Sequence, residues 1–144
     1  MLVYFDSCAL NRPLDAKIQP RVLAEAAAVE ALLFHCLMGQ LQLLASDVLY
    51  YEAMCCADLE KQAFVYQVLA HAVKNVAWSR QLAARTRHFE KQGLKPLDSL
   101  HLASAEAGLA DWFCTCDTRL LRRARKLVGF TAKLVTPAEL LKEI

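Results

Sequence analysis

Leu2-Val3-Tyr4-Phe5 is a short, β-favouring apolar run that stops abruptly at Asp6. The turn-rich residues 7–13 follow, so the pattern predicts a strand and then a loop. After Pro20, Val22, Leu23, Ala26, Val29, Leu33 and Leu37 recur at helical spacing as far as Gly39, which predicts a helix over 20–38 closed by a glycine cap. Residues 40–45 alternate and then become wholly apolar, as a buried strand does, and Ser46 is placed to cap the helix that carries Tyr50, Tyr51, Glu52 and Met54.

Beyond Asp58 a further helical segment runs to His71, residues 73–78 form a weaker strand, and Ser79 caps a basic helix over 80–92 that ends at Gly93. Lys95-Pro96-Leu97 predicts an extended entry, with Asp98 and Ser99 capping a helix over 100–108. Residues 111–116 are the next strand, stopping at Asp117, and 120–127 a short, strongly basic helix. Residues 133–135 are the last strand, and Thr136-Pro137-Ala138-Glu139 opens the last helix as a capping box with proline at its first position. Strands alternating with helices predict a single α/β domain over 1–144, a parallel sheet covered on both faces.

Composition narrows the picture. A chain of 144 residues that is 56% hydrophobic, with four Gly and four Pro, suits one packed core and excludes linker-like or collagen-like character. Glu25, Glu30 and His35 interrupt the richest apolar stretch, and the N-terminus lacks a basic region followed by an apolar segment. The expectation is a cytoplasmic protein with no membrane contact. Six cysteines without paired C-x2-C spacing read as reduced core thiols, Cys114 and Cys116 included, although those two would share one face of a strand.

Net charge is only +2, but residues 1–60 carry eight acids against three bases and residues 61–144 seven acids against fourteen bases. That asymmetry permits an acidic site beside a basic surface, and also permits ordinary solvated helix faces.

Ligands of an open parallel sheet bind beyond the carboxyl ends of its strands. Asp6 and Asp117 both stand there, and Asp98, at the start of the helix leading into the penultimate strand, can reach the same edge. Glu52 would reach back over that edge from the helix after the second strand. Carboxylates converging without basic partners repel unless a cation neutralises them. Hard oxygen ligands suit Mg²⁺ or Mn²⁺, and the lack of a His/Cys set argues against zinc. Such a cation activates water for phosphodiester hydrolysis. Each acid also has a purely structural reading: Asp6 a turn residue, Asp98 an N-cap, Asp117 a strand-end turn, Glu52 a solvated helix residue.

The segments Tyr4-Phe5-Asp6-Ser7-Cys8-Ala9-Leu10-Asn11-Arg12-Pro13, Ser46 to Glu52, Leu97-Asp98-Ser99-Leu100-His101-Leu102-Ala103-Ser104-Ala105 and Cys114-Thr115-Cys116-Asp117 resemble the PIN-domain nucleases over nearly the whole chain. The last two, an Asp-x-x-His-x-x-x-Ala helix start and a Thr-x-Asp strand end, are the most specific. The resemblance implies a three-layer α/β/α fold with a five-stranded parallel sheet in the order 3-2-1-4-5, and RNA cleavage dependent on Mg²⁺ or Mn²⁺. It also implies the role of VapC-like toxin in a toxin–antitoxin pair, with a small antitoxin partner and a homodimer. Carried over, Asp6, Asp98 and Asp117 would hold the metal, Glu52 directly or through water, and Thr115 would support the site. Where some members have a further acid, this chain has Thr118 and Arg119, which leaves one metal as the assignment.

His101 reads as a packing or supporting residue outside the catalytic set. Asn11 and Arg12 either contact substrate phosphate or shape their loop, and Arg119, with Arg122, Arg123, Arg125 and Lys126 beyond it, is placed to meet RNA phosphates. Exposed Phe34, Leu37 and Tyr66 would serve an antitoxin or simply pack. The competing functions are an RNA-processing nuclease and an inactive PIN-like module that binds RNA or protein. A receiver-like signalling domain would need a phosphoacceptor Asp after the third strand, where Ser79-Arg80 stands instead.

Overall fold

The computed structural model describes all 144 residues, Met1–Ile144. Five short strands, β1 (Leu2–Phe5), β2 (Gln42–Ser46), β3 (Lys74–Val76), β4 (Trp112–Cys114) and β5 (Lys133–Val135), form one parallel sheet in the order β3-β2-β1-β4-β5. Helices α1 (Ser7–Asn11), α2 (Pro20–Leu37), α3 (Asp47–Met54), α4 (Leu59–Leu69), α5 (Arg80–Lys91), α6 (Pro96–Ala107), α7 (Thr118–Ala124) and α8 (Pro137–Leu141) flank it. The expected α/β class and strand order are those of the structure. β1 is the centre: Val3, Tyr4 and Phe5 are wholly buried, paired with β2 on one side and β4 on the other. The chain winds outward from β1 to β3, then returns to β1's other side with β4. The order therefore reverses between β1 and β4, and a crevice opens beyond their carboxyl ends.

The expected loop after β1 is instead helical. Asp6 is the N-cap of α1, its Oδ1 accepting from the Ala9 N–H at 3.0 Å, and Arg12–Leu14 continues as a 3-10 turn with Pro13 in its first positions. Five residues are too few to show a helical period, so this helix rests on its cap rather than on a pattern.

The second difference lies at α6. It starts at Pro96, two residues before Asp98, because proline's fixed φ and missing N–H suit the first helical position. Lys95 is extended, as a residue before proline must be, and is the cap without any side-chain bond. Asp98 is thus inside the first turn, not the N-cap, and Ser99 beside it is buried with no partner for its Oγ. Elsewhere the ends move by a few residues: β3 and β4 are shorter than the apolar runs that contain them, and α7 begins at Thr118, capped by Asp117.

Gly39 carries φ 74°, the left-handed conformation expected of a glycine just past α2. Gly108 ends α6 for a different reason: a Cβ there would press on the side-chain ends of Leu44 and Val76, so glycine lets α6 close on β2 without moving them. All six cysteines are free thiols, Cys114 and Cys116 both buried. No helix is long and apolar enough to cross a membrane.

Candidate active site

β1 delivers Asp6 to the crevice, where it is 4% exposed. Its two oxygens are engaged separately: Oδ1 caps α1, and Oδ2 accepts a 2.6 Å hydrogen bond from the Thr115 hydroxyl. Thr115, fully buried just beyond β4, also accepts from the Asp117 N–H at 3.0 Å. One hydroxyl therefore ties the segment after β1 to the segment after β4. Asp117 Oδ1 in turn accepts from the Arg119 and Leu120 N–H groups at 2.9 and 3.1 Å, capping α7. Asp6 and Asp117 thus both have structural duties, Asp6 as a helix cap rather than the turn residue considered for it, but Asp117 spends only one oxygen on its duty.

Asp98 has no such duty. It is half-buried at the third position of α6, and its carboxylate takes part in no hydrogen bond or ion pair. Burial raises its pKa, and the charges of Asp117 and Glu52 raise it further. Asp6 is pushed up to about 6, chiefly by burial, with Asp98 adding to the rise and His101, Thr115 and Ala9 opposing it. Asp98 is the common neighbour: its charge acts on Asp6, and the charges of Asp117 and Glu52 act on it.

Glu52 arrives from α3 and is bonded by His101 Nε2, the ring of a 3% exposed residue of α6. Burial works to raise the Glu52 pKa, but the bond and charge of His101, with a bond from Ser7, hold it below the ordinary value. An ionised carboxylate only accepts, so Nε2 carries the proton. Nδ1 of the same ring is hydrogen-bonded to the Tyr4 hydroxyl at 2.6 Å, and the Tyr4 hydroxyl to Ser46 Oγ at 2.8 Å. Ser46, Tyr4, His101 and Glu52 form a hydrogen-bonded chain from β2 through β1 and α6 to the crevice. Sequence reasoning left His101 out of the site. The signal was present in Tyr4 and Ser46, polar groups within or ending buried strands, each of which needs a buried partner.

The residues expected to contact substrate are placed differently. Arg12 is occupied by Asp15 at 3.0 Å and lies 3.7 Å from Glu25. Asn11 lines a polar hollow of about 170 Å³ with Ser7, Glu52 and Lys61. The Arg119 side chain is exposed and unpaired, as are Arg122 and Arg123, whereas Arg125 pairs with Glu139 and Arg85 with Glu106.

A hard cation is chemically suited to this donor set, because every acid is an oxygen ligand, Asp98 has no hydrogen-bond partner in the protein, and neighbouring acids raise the pKa of Asp6 and Asp98. The side chains as they stand do not close on a common point: no group of three or more His, Cys, Asp or Glu residues is arranged to hold a metal ion. The expected pocket of four converging ligands is therefore four acids sharing an edge, Asp6, Asp117 and Glu52 each turned toward a protein donor.

The architecture is PIN-like, an α/β sheet of five parallel strands in the order 3-2-1-4-5 with the acids at its switch point. Among solved structures the chain is similar to VapBC2 from Rickettsia felis bound to a DNA fragment from its promoter, with a TM-score of 0.57 and 14% identity over 94% of this chain and 98% of that one. No protein-family model matches the sequence, and no curated protein does. The likeness is one of fold.

Proposed function

We propose that the protein is a metal-dependent endoribonuclease acting as the toxin of a VapBC-like toxin–antitoxin pair. The observation that carries the reading is Asp98: a half-buried carboxylate without any hydrogen-bond partner, within the field of Asp117 and Glu52, at the crevice where the fold offers a site. Burial and the neighbouring acids disfavour its ionised form, and a cation bound there would favour it.

Asp6, Asp98 and Asp117 would hold Mg²⁺ or Mn²⁺, with Glu52 directly or through water. A divalent ion there would supply charge stabilisation for the phosphodiester and lower the pKa of attacking water. Thr115 fixes Asp6 relative to Asp117, His101 orients Glu52, and exposed Arg119, Arg122 and Arg123 lie next to Asp117 to meet the RNA backbone. Asn11 would touch substrate from the hollow beside Glu52, whereas Arg12, held by acids, would shape that wall.

The antitoxin would cover the apolar groove between α2 and α4, a hollow of about 200 Å³ lined by Leu33, Leu37, Phe64 and Val68, beside which Phe34 and Tyr66 are exposed. A homodimer and a cytoplasmic setting belong to the same reading. The unclosed ligand set favours one second reading, an inactive PIN-like module that binds RNA or protein.

Purified protein incubated with RNA and Mg²⁺ or Mn²⁺ decides between them. The nuclease reading expects cleavage that stops with EDTA and with Asp6→Asn. Activity surviving both, or no cleavage of any RNA by the wild type, contradicts it.

A further inference from the structure

A second hollow lies beside the acids, between α3, α5 and the start of α6. It encloses about 240 Å³ and is walled by Tyr51, Trp78, Leu82, Leu97 and Leu100, with Asp47 at its rim. That is below the roughly 300–1,000 Å³ of sites for drug-sized ligands, and suits one planar ring system.

Its position is tied to the acidic crevice by chain neighbours. Tyr51 precedes Glu52 on α3, and Leu97 precedes Asp98 on α6. His101, one turn beyond Leu97 on α6, bonds Glu52 of α3, so the two helices that wall this hollow also meet at the Glu52–His101 pair.

Two aromatic side chains are left open here. Trp78 is 61% exposed and Tyr51 56% exposed, a large cost in unburied ring surface unless something stacks on them. The loop bearing Trp78 is not loose: Asp47 Oδ2 accepts from the Trp78 N–H at 2.9 Å, while its Oδ1 accepts from Asn75 Nδ2 at 2.9 Å. These bonds hold the Asp47 carboxyl below its ordinary pKa, so the anchor stays ionised. Arg80, two residues past Trp78, and Lys95, two before Leu97, are exposed and in no ion pair. The hollow therefore combines aromatic faces with unpaired cations two residues away in the chain from Trp78 and from Leu97, the chemistry that complements a base and its phosphates.

We infer that the Tyr51–Trp78 hollow is a base-stacking subsite, which takes one unpaired nucleobase of a single-stranded RNA whose adjoining phosphate lies toward Asp98 and Glu52. The inference rests on the nuclease reading for its substrate class, and restricts that class to unpaired RNA, since a base within a duplex cannot enter a side pocket. Stacking on aromatic rings is tolerant of base identity, so the subsite sets strandedness and register rather than sequence.

The test is binding in EDTA, read apart from cleavage. Trp112 is 4% exposed, so the quenchable indole emission is that of Trp78. Titrating heptacytidylate into the full-length protein should quench that emission saturably, while an abasic ribose-phosphate heptamer of equal charge should not. Tyr51→Ala should raise the Kd about tenfold, equivalent to about 1.4 kcal/mol. Trp78→Phe should remove the signal while retaining weaker binding by anisotropy of a labelled heptamer.

Equal binding of the abasic heptamer, or an unchanged Kd in Tyr51→Ala, overturns the proposal. So does sedimentation showing a wild-type dimer that Tyr51→Ala splits, which assigns the face to a second copy of the chain. Quenching without any metal-dependent cleavage upholds the subsite and removes the nuclease, and cleavage without quenching does the reverse.

Discussion

Asp6→Asn should make the metal-free protein more stable, with a gain that depends on pH. The Asp6 carboxyl is raised from 3.8 to about 6 in the fold, chiefly by burial. Below the unfolded value both states hold the proton, and the group contributes nothing. Between the two values the native state holds more proton than the unfolded state, so stability falls as pH rises, and above about 6 the loss is complete. A difference of about two pKa units corresponds to roughly 3 kcal/mol, an upper bound because local relaxation softens it. Asparagine keeps an oxygen for the Ala9 N–H and an amide for the Thr115 oxygen, so the cap survives the change. Urea denaturation in EDTA at pH 4 and pH 8 measures this. The variant should be about equal to wild type at pH 4 and more stable by about 1–3 kcal/mol at pH 8. A gap of the same size at both values, or a variant less stable at pH 8, refutes the assignment of a strained, ionised Asp6.

Substitutions at three further positions probe the frame that carries the acids. His101→Ala strips partners from the Tyr4 hydroxyl and from Glu52 and should cost about 2–4 kcal/mol by urea denaturation, with His101→Gln costing less. Gly108→Ala drives a methyl against Leu44 and Val76 and should cost about 1–3 kcal/mol; an unchanged midpoint would show that α6 does not pack as described. Leu109 is 75% exposed with φ 61°, so Leu109→Gly relieves backbone strain and should raise the unfolding free energy by up to about 1 kcal/mol, seen as a higher urea midpoint.

Much of the fold was legible because the strands are short apolar runs with clear punctuation. Phe5 stops at Asp6, and Gly39 lies between α2 and β2. The errors lie where two legitimate signals compete or where a segment is too short for a period. Pro96 and Asp98 are both helix-start residues two positions apart, and proline won, which took Asp98 out of the cap and left its carboxylate without a donor. Asp6 was read for its chemistry, and its capping of α1 went unseen because five residues of α1 show no amphipathic repeat. The positions of Asp6 and Asp117 follow from strand ends alone, and that of Asp98 from a helix start. The bonding of Glu52 to His101 did not, since contacts between α3 and α6 depend on packing across the sheet that no local pattern encodes.

The central claim is that these acids serve phosphodiester chemistry, and Asp98 isolates it from the fold. Its carboxylate bonds to nothing in the protein, so Asp98→Asn should melt within about 1 °C of wild type or slightly higher, with no bond lost. The measurement is the initial rate of single-stranded RNA cleavage with Mn²⁺ for wild type and Asp98→Asn, at matched fold. The account predicts a fall of at least about a hundredfold, the scale of losing a directly acting group. A variant that cleaves at the wild-type rate would contradict it.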